Sequence, residues 1–499
     1  MNRAALSGSI PVHTKRAGRL GGNWQASQFL LVAILLGITF AFRAGLNYFF
    51  VQDDFAFLAR LAQARTPVQW LGLFLMNDHF YRPFARVVLL GIPFGIFQTS
   101  PLGYHVFNLS LHLVNTLLVF RLLKSLKTTA LSAALGAGLY GFYPAHLTPL
   151  VWISGIQELS VALMILLTSL AFLAWSRQPR RLRYYGLSLV CYAIALLCKE
   201  TAVLLPVWLV LVQARYQRSG EATGRRLIWL VPAQTGFALV ALGYAAVRFV
   251  KANVTGDTGP YTISLAPLSL WQNTQAYVLD AFGMRSIQIV SPGVLAAATA
   301  LGLLILVIAL GPQRWRGVAG LVWCLCFLAP TLILLNRHYT YYFSVATVGV
   351  AIFVSAVADR LIQFDKYVPT PSRRRLAALL PVLALLAWAS YAAIRISEPI
   401  DEQSLKAKGE RARQIVAALQ AQYPQSIPCS TLVVTGASGN QAELGEMFVF
   451  FYPTLGQVVF DNGPALPNPT STTAGECHFE LPAALSFAQS DLSSNTGPV

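Results

Sequence analysis

The sequence predicts an all-α polytopic membrane protein of about eleven transmembrane helices, followed by a small C-terminal α/β domain outside the membrane. Three observations predict it. Of the 499 residues, 55% are hydrophobic and only 11% charged, where soluble domains carry about a quarter. Apolar runs near twenty residues recur, continuous rather than alternating, and in hydrocarbon such runs satisfy their backbone as helices. The basic residues behind the net charge of +17 punctuate the ends of these runs, as the loop charges that orient membrane spans do. No arginine stripe interleaved with aromatics is present, so nucleic acid is not an expected partner.

Residues 1–27 read as a basic cytoplasmic N-terminus with Arg3, Lys15, Arg16 and Arg19. No small-residue cleavage site follows the first apolar run, so that run is expected to be an uncleaved span. The spans are expected at 28–49, 103–123, 129–147, 156–175, 184–199, 201–214, 227–249, 292–310, 317–335, 339–358 and 376–396. If each crosses once, the basic clusters at Arg121–Lys127, Arg177–Arg183, Arg215–Arg226, Arg314–Arg316 and Arg360–Arg375 join the N-terminus in the cytoplasm. The outside turns near 148–155, 200 and 336–338 are nearly free of Lys and Arg. Residues 84–98 are apolar but short, with Gly91, Pro93 and Gly95 inside. As a crossing they would invert every later loop, so they read as re-entrant or interfacial. The transmembrane domain is thus 28–396, with a first outside loop at 50–102 whose stretch 55–76 forms surface helices.

Residues 397–485 are mixed polar and read as the outside α/β domain. A helix is expected near 401–422, strands at 430–436 and 457–461, and a helix at 441–451. The Pro/Ser/Thr/Asn-rich tail 486–499 is expected to be loose. Cys429 and Cys477 are the two cysteines of this domain, in a compartment that permits a disulfide. The other four lie in spans and read as packing residues.

Chemistry concentrates at the outside turns. Asp53-Asp54 follows the first span, and adjacent carboxylates at a membrane exit must be exposed, paired or metal-bound. They read as a general base with its partner or as a solvated helix cap. His79 and Arg82 lie in NDHFYRP, where Arg82 offers a planar fork to a phosphate or, alternatively, to a lipid headgroup; Arg86 is a second candidate. His105, Asn108, His112 and Asn115 share one face of the second span, and the deeper two read as interhelical hydrogen-bonding groups. His146 and Glu158 come from YPAHLTPLVWISGIQE, and Glu158 has no nearby cation in sequence. Lys199-Glu200 is either a local ion pair at a hairpin or a phosphate and sugar contact. Arg337, His338 and Tyr339 form a cation-plus-aromatic turn. Together these turns bring cations suited to a lipid-linked phosphate and carboxylates suited to activating an acceptor hydroxyl.

The stretches QDDF, YRPFARV, PLGYHVFNLSLHLVNTLLVF, YPAHLTPLVWISGIQEL, LLCKETAVLLP and NRHYTYYFSVATVGV resemble the GT-C class of membrane glycosyltransferases. The resemblance is to transmembrane O-mannosyltransferases that carry tetratricopeptide repeats and to their repeat-less bacterial relatives, and it covers spans one to six and ten. It implies a GT-C-like transmembrane domain that transfers a sugar, such as mannose or another hexose, from a polyprenyl-phosphate carrier. The implied base is Asp53, with Asp54 next. Arg82, Lys199 and Arg337 match positions near the donor phosphate. Glu158 and Glu200 match acidic positions beside the sugar pocket, which His79, His105, His146 and Tyr339 would also line. No tetratricopeptide repeats follow here, and the small outside domain stands in their place; Asn336 stands where the repeat-bearing relatives have an acid.

The expected reaction inverts the anomeric centre, with a protein, lipid or glycan as acceptor and membrane lipid around the site. No cofactor is required; a divalent metal, if one binds, falls to Asp53 and Asp54. The expected location is a bacterial inner membrane, with the site and the C-terminal domain outside. Rival readings are a polysaccharide polymerase or ligase using a lipid diphosphate, and a transporter of lipid-linked sugar. A transporter would be expected to show related halves, and the chain shows none.

Overall fold

The computed structural model describes residues 18–76, 80–218, 230–251, 262–281, 300–305, 307, 310–334, 339–364, 387, 391, 400–437, 440–461, 476–482 and 485. The chain folds as a helical bundle carrying a small three-stranded parallel sheet at its C-terminal end. Among the described residues, four helices are long and apolar enough to cross a membrane: Pro101–Ser125, Ile153–Arg177, Pro232–Val250 and Arg314–Leu332. Shorter apolar helices lie at Gln28–Ala41, Phe84–Phe97, Ala130–Gly141 and Leu182–Cys198. The expected span at 376–396, and most of that at 292–310, fall outside the described residues. The bundle is an integral membrane protein: side chains such as Phe29 and Phe249, 77% and 81% exposed, present apolar surface that water would not tolerate in such quantity.

Helix α1 (Gly18–Ala41) is followed by a short 3-10 turn, then by α2 (Asp53–Gln63) and α3 (Pro67–Leu75) in the first loop. Thr66 and Gln69 cap α3 reciprocally, each side chain satisfying the other's backbone N–H. Residues Phe84–Leu89 form a π-helical turn that runs into α4 (Leu90–Phe97). Then come α5 (Pro101–Ser125), α6 (Ala130–Gly141) and α7 (Leu147–Val151), followed by a 3-10 turn at Ile153–Gly155 and α8 (Ile156–Arg177). Gly155 is required there, because a Cβ would sit 2.5 Å from Pro149 Cα. Helix α9 (Leu182–Cys198) packs along α8, and α10 (Leu205–Arg218), α11 (Leu230–Lys251) and α12 (Pro267–Ala281) follow. Helix α12 was not anticipated from the sequence. Its Asn273 amide donates to the carbonyls of Leu332 and Leu334, at 2.6 and 2.9 Å.

Helices α13 (Arg314–Leu332) and α14 (Thr347–Phe364) cross closely at Gly320 and Gly349. A Cβ on Gly320 would lie 2.5 Å from the Gly349 carbonyl oxygen, the close approach that small residues allow between membrane helices. Trp208 and Trp323 meet edge-on at 4.8 Å beside this crossing. Each indole N–H donates to a carbonyl, Ala319 at 3.0 Å and Val345 at 2.9 Å, so neither buried ring leaves a polar atom unpaid.

The C-terminal domain comprises α15 (Ile400–Gln422), β1 (Thr431–Thr435), α16 (Gln441–Phe451), β2 (Gln457–Asp461) and β3 (Glu476–Glu480). The strands are parallel in the order β2-β1-β3. Strand β3, ECHFE, had not been read from its charged sequence. A disulfide joins Cys429 to Cys477 and ties the entry of β1 to β3. The domain docks on the segment between α1 and α2: Arg413 donates to the Asn47 carbonyl at 2.8 Å, and Phe49 stacks on Phe451 at 6.1 Å.

Candidate active site

The N-terminus of α2 separates the two aspartates. Asp53 is exposed and Asp54 fully buried. Asp54 accepts from the Ser154 amide at 2.7 Å, from the Ser154 hydroxyl at 2.6 Å and from the Val51 amide at 3.0 Å. Burial pushes its carboxyl up to about 7, against the lowering effect of those bonds. Asp54 therefore anchors the first turn of α2 to the 3-10 turn before α8, and Asp53 is left facing outward.

A hydrogen-bonded chain runs from this anchor to a cluster of charges. The Gln157 amide donates to the Ser154 carbonyl at 3.1 Å. Its oxygen accepts from Arg82 at 2.9 Å and from Arg86 at 3.3 Å. Arg82 grips Glu200 with two further bonds, 2.8 and 2.5 Å, the bidentate fork that guanidinium and carboxylate form best. Burial raises the Glu200 carboxyl, but Arg82, Lys199 and Arg248 overcome it and hold it down at about 2. Beside this pair Lys199 is bonded to Glu158, with both side chains buried. Lys199 also faces the rings of Tyr342 and Tyr341, at 4.8 and 5.8 Å.

Arg248, near the end of α11, was not singled out from the sequence. Its guanidinium lies 5.4 Å from the Phe80 ring, which Arg82 approaches from 4.5 Å. Its buried Nη1 has no hydrogen-bond partner among the described residues. The one available signal was an i,i+4 pair, Tyr244 and Arg248, at the far end of an apolar run. Among the described residues the cluster therefore gathers Arg82, Arg86, Lys199 and Arg248 around Glu158 and Glu200 in partly buried surroundings.

Other candidates fall elsewhere. The His105 ring is held between the carbonyls of Leu150 and Tyr48, at 3.2 and 3.1 Å. His146 lies inside the bundle, 4.5 Å ring to ring from both His112 and Tyr140, and bonds Thr347 at 3.2 Å. Tyr339 stacks on Tyr341 at 5.3 Å, so the late turn reaches the tyrosines that face Lys199. His79 and Arg337 lie outside the described residues. Among the described residues no group of three His, Cys, Asp or Glu side chains could hold a metal ion.

An open groove of about 560 Å³ runs between α2, α16 and β2, lined among others by Ala56, Arg60, Gln63, Gly445, Glu446 and Phe460. Asp53, Ala56, Arg60 and Gln63 fall on one face of α2, so the groove leads toward Asp53. Burial raises the carboxyls of Glu446 on its far wall and of Glu443 on the same helix, and the Asp53 charge adds to both.

No protein-family model matches the chain. It is 30% identical to the protein O-mannosyl-transferase Tmtc2 of Drosophila melanogaster over 133 residues, 26% of this chain and 14% of that protein. It is 34% identical to Tmtc1 of the same fly over 107 residues, 21% of this chain and 12% of that protein. The matches therefore span a small part of those relatives. Among solved structures, ArnT from Cupriavidus metallidurans in the apo state aligns with a TM-score of 0.49 at 13% identity, covering 89% of this chain and 87% of that one. The oligosaccharyltransferase AglB from Archaeoglobus fulgidus, in complex with an inhibitory peptide and a dolichol-phosphate, aligns at 0.48 and 15%, covering 88% and 64%. In its matched stretches the chain resembles the protein O-mannosyl-transferases Tmtc1 and Tmtc2.

Proposed function

We propose that this protein is a GT-C-type membrane glycosyltransferase that moves a sugar, mannose or another hexose, from a polyprenyl-phosphate carrier to an acceptor hydroxyl on the non-cytoplasmic face of a membrane crossed about eleven times. The observation that carries the reading is the bonded chain from Asp54 through Ser154, Gln157 and Arg82 to Glu200. It supports one site with an exposed carboxylate at one end and a cluster of cations at the other.

In this mechanism the donor phosphate meets Arg82, Lys199 and Arg248, with Arg337 on the late turn as a further contact. The acceptor enters along the groove beside α2. Asp53 takes the proton of the acceptor hydroxyl as its oxygen attacks the anomeric carbon. The bond from that carbon to the phosphate oxygen breaks, and the lipid phosphate leaves with the electron pair, inverting the centre. Its charge is stabilised by groups already in place before reaction. Glu158 and Glu200 hold the cations and contact sugar hydroxyls. Tmtc1 and Tmtc2 bear the name protein O-mannosyl-transferase, which favours a protein hydroxyl as acceptor.

The test presents the protein in liposomes with lipid-monophosphate and lipid-diphosphate sugars. Transfer from the monophosphate alone is expected. Transfer from the diphosphate alone would make it a polymerase or ligase, and lipid movement without product would make it a transporter.

A further inference from the structure

The residue before Asp53 holds an unusual conformation. Gln52 has φ 50° and ψ −123°, a region that side chains other than glycine avoid and that persists only where the surroundings impose it. Its side chain makes no capping bond to α2. The backbone is held from outside: the Gln52 amide donates to Glu443 Oε1 at 3.1 Å, across 391 residues of sequence. Glu443 stands in the first turn of α16, where a carboxylate suits the helix dipole. Its other oxygen accepts from the Asn440 amide at 3.3 Å, and its own N–H donates back to Asn440. Both oxygens are thus committed, one to the C-terminal domain's own helix cap and one to the active-site segment.

The contact is not isolated. Phe50 packs edge-on against Phe450 at 5.1 Å, and Arg413 holds the Asn47 carbonyl. The whole run from Asn47 to Gln52 is therefore seized by the C-terminal domain just before the chain enters α2. Val51 bonds Asp54 and the Gln52 carbonyl accepts from Phe55, so the backbone angles at Gln52 decide how the first turn of α2 leaves that run.

We propose that Glu443 is a positioning residue: its carboxylate imposes the left-handed conformation on Gln52 and so fixes the direction of Asp53, making the C-terminal domain part of the active site. The inference rests on Asp53 being the base. A displacement of the order of an ångström at a reacting group is enough to cost about a hundredfold in rate.

The test uses the full chain in nanodiscs and two variants. Glu443→Ala removes the acceptor, whereas Glu443→Gln keeps an oxygen able to accept from Gln52. Hydrogen exchange is read on peptides covering 48–56 and 405–437. Glu443→Ala should speed exchange in the first and leave the second unchanged, and Glu443→Gln should match the wild type. In transfer assays Glu443→Ala should lower kcat by about tenfold or more with donor KM within about twofold, and Glu443→Gln should restore most of it. Wild-type kcat in Glu443→Ala, or unchanged exchange at 48–56, overturns the proposal; so does a Glu443→Gln variant as impaired as Glu443→Ala. Protection that depends on Glu443 in a protein without any transfer activity would leave the clamp standing and remove the transferase reading instead.

Discussion

Two ion pairs, one buried and one half-buried, are built differently. At the N-terminal end of α6 Arg316 bonds Asp359 at 2.5 Å. Asp359 also accepts from the Thr129 hydroxyl at 2.7 Å and the Thr129 amide at 3.1 Å, so the pair is closed, one charge against one. The half-buried pair, Arg82 and Glu200, is bonded just as closely. Among the described residues Arg86, Lys199 and Arg248 gather around it with Glu158, and Arg248 Nη1 meets no hydrogen-bond partner. A closed pair fixes helix ends. On the proposed reading, the cations around the second pair are held by hydrogen bonds in place for the donor phosphate. The difference separates structural charge from charge available for chemistry.

The largest expected effect breaks the chemistry and leaves both pairs intact. Asp53→Asn should lower transfer by roughly a thousandfold, inside the hundred- to ten-thousandfold span of general-base catalysis. Asp53 is exposed, so thermal unfolding should stay close to wild type. Near-normal turnover in this variant would remove Asp53 as the base.

Next comes the closed pair. Arg316→Ala leaves the Asp359 carboxylate buried without its cation, which costs about 3–5 kcal/mol. Yield and unfolding temperature should fall steeply, while turnover per folded molecule stays within about twofold. Arg248→Ala should do the reverse: donor KM rises about tenfold, the worth of one charge-assisted contact, with unfolding almost unmoved. If Arg248→Ala unfolds the protein and spares KM, the distinction between the two pairs fails.

How far the sequence disclosed this follows from which signals are local. Apolar runs and loop charges are local, so helices such as α5, α8 and α13 were legible, as were β1 and β2 with α16 between them. Strand β3 was not, because its ECHFE run, though alternating, is only 5 residues long and charged at both ends. Glu158 had no visible partner because Lys199 arrives from the next hairpin, 41 residues on. Arg248 ends an apolar run like any membrane-anchoring arginine, and only the fold brings it to Phe80. The stripe His105, Asn108, His112 and Asn115 was legible as one face, yet all four side chains bond backbone carbonyls of later segments. Polar residues in a span are ambiguous until it is known whether a neutral carbonyl or a charge answers them.

The smallest expected effect concerns Asp54, the joint between the outward-facing Asp53 and the charged cluster. Its carboxyl is raised to about 7 by burial, from an ordinary value of 3.8. A group raised on folding contributes stability in full below its unfolded value and loses that contribution as pH climbs through the folded one. The wild-type unfolding temperature should therefore decline between about pH 5 and about pH 8. Asp54→Asn cannot ionise, and its amide oxygen can still accept from Ser154. Its NH2 would face the Val51 amide and lose that bond, at about 1 kcal/mol. The variant should start lower at acid pH and decline less, so the two curves converge toward pH 8. Parallel curves in detergent would mean that Asp54 stays charged across this range, and that its bonds to Ser154 and Val51 outweigh its burial.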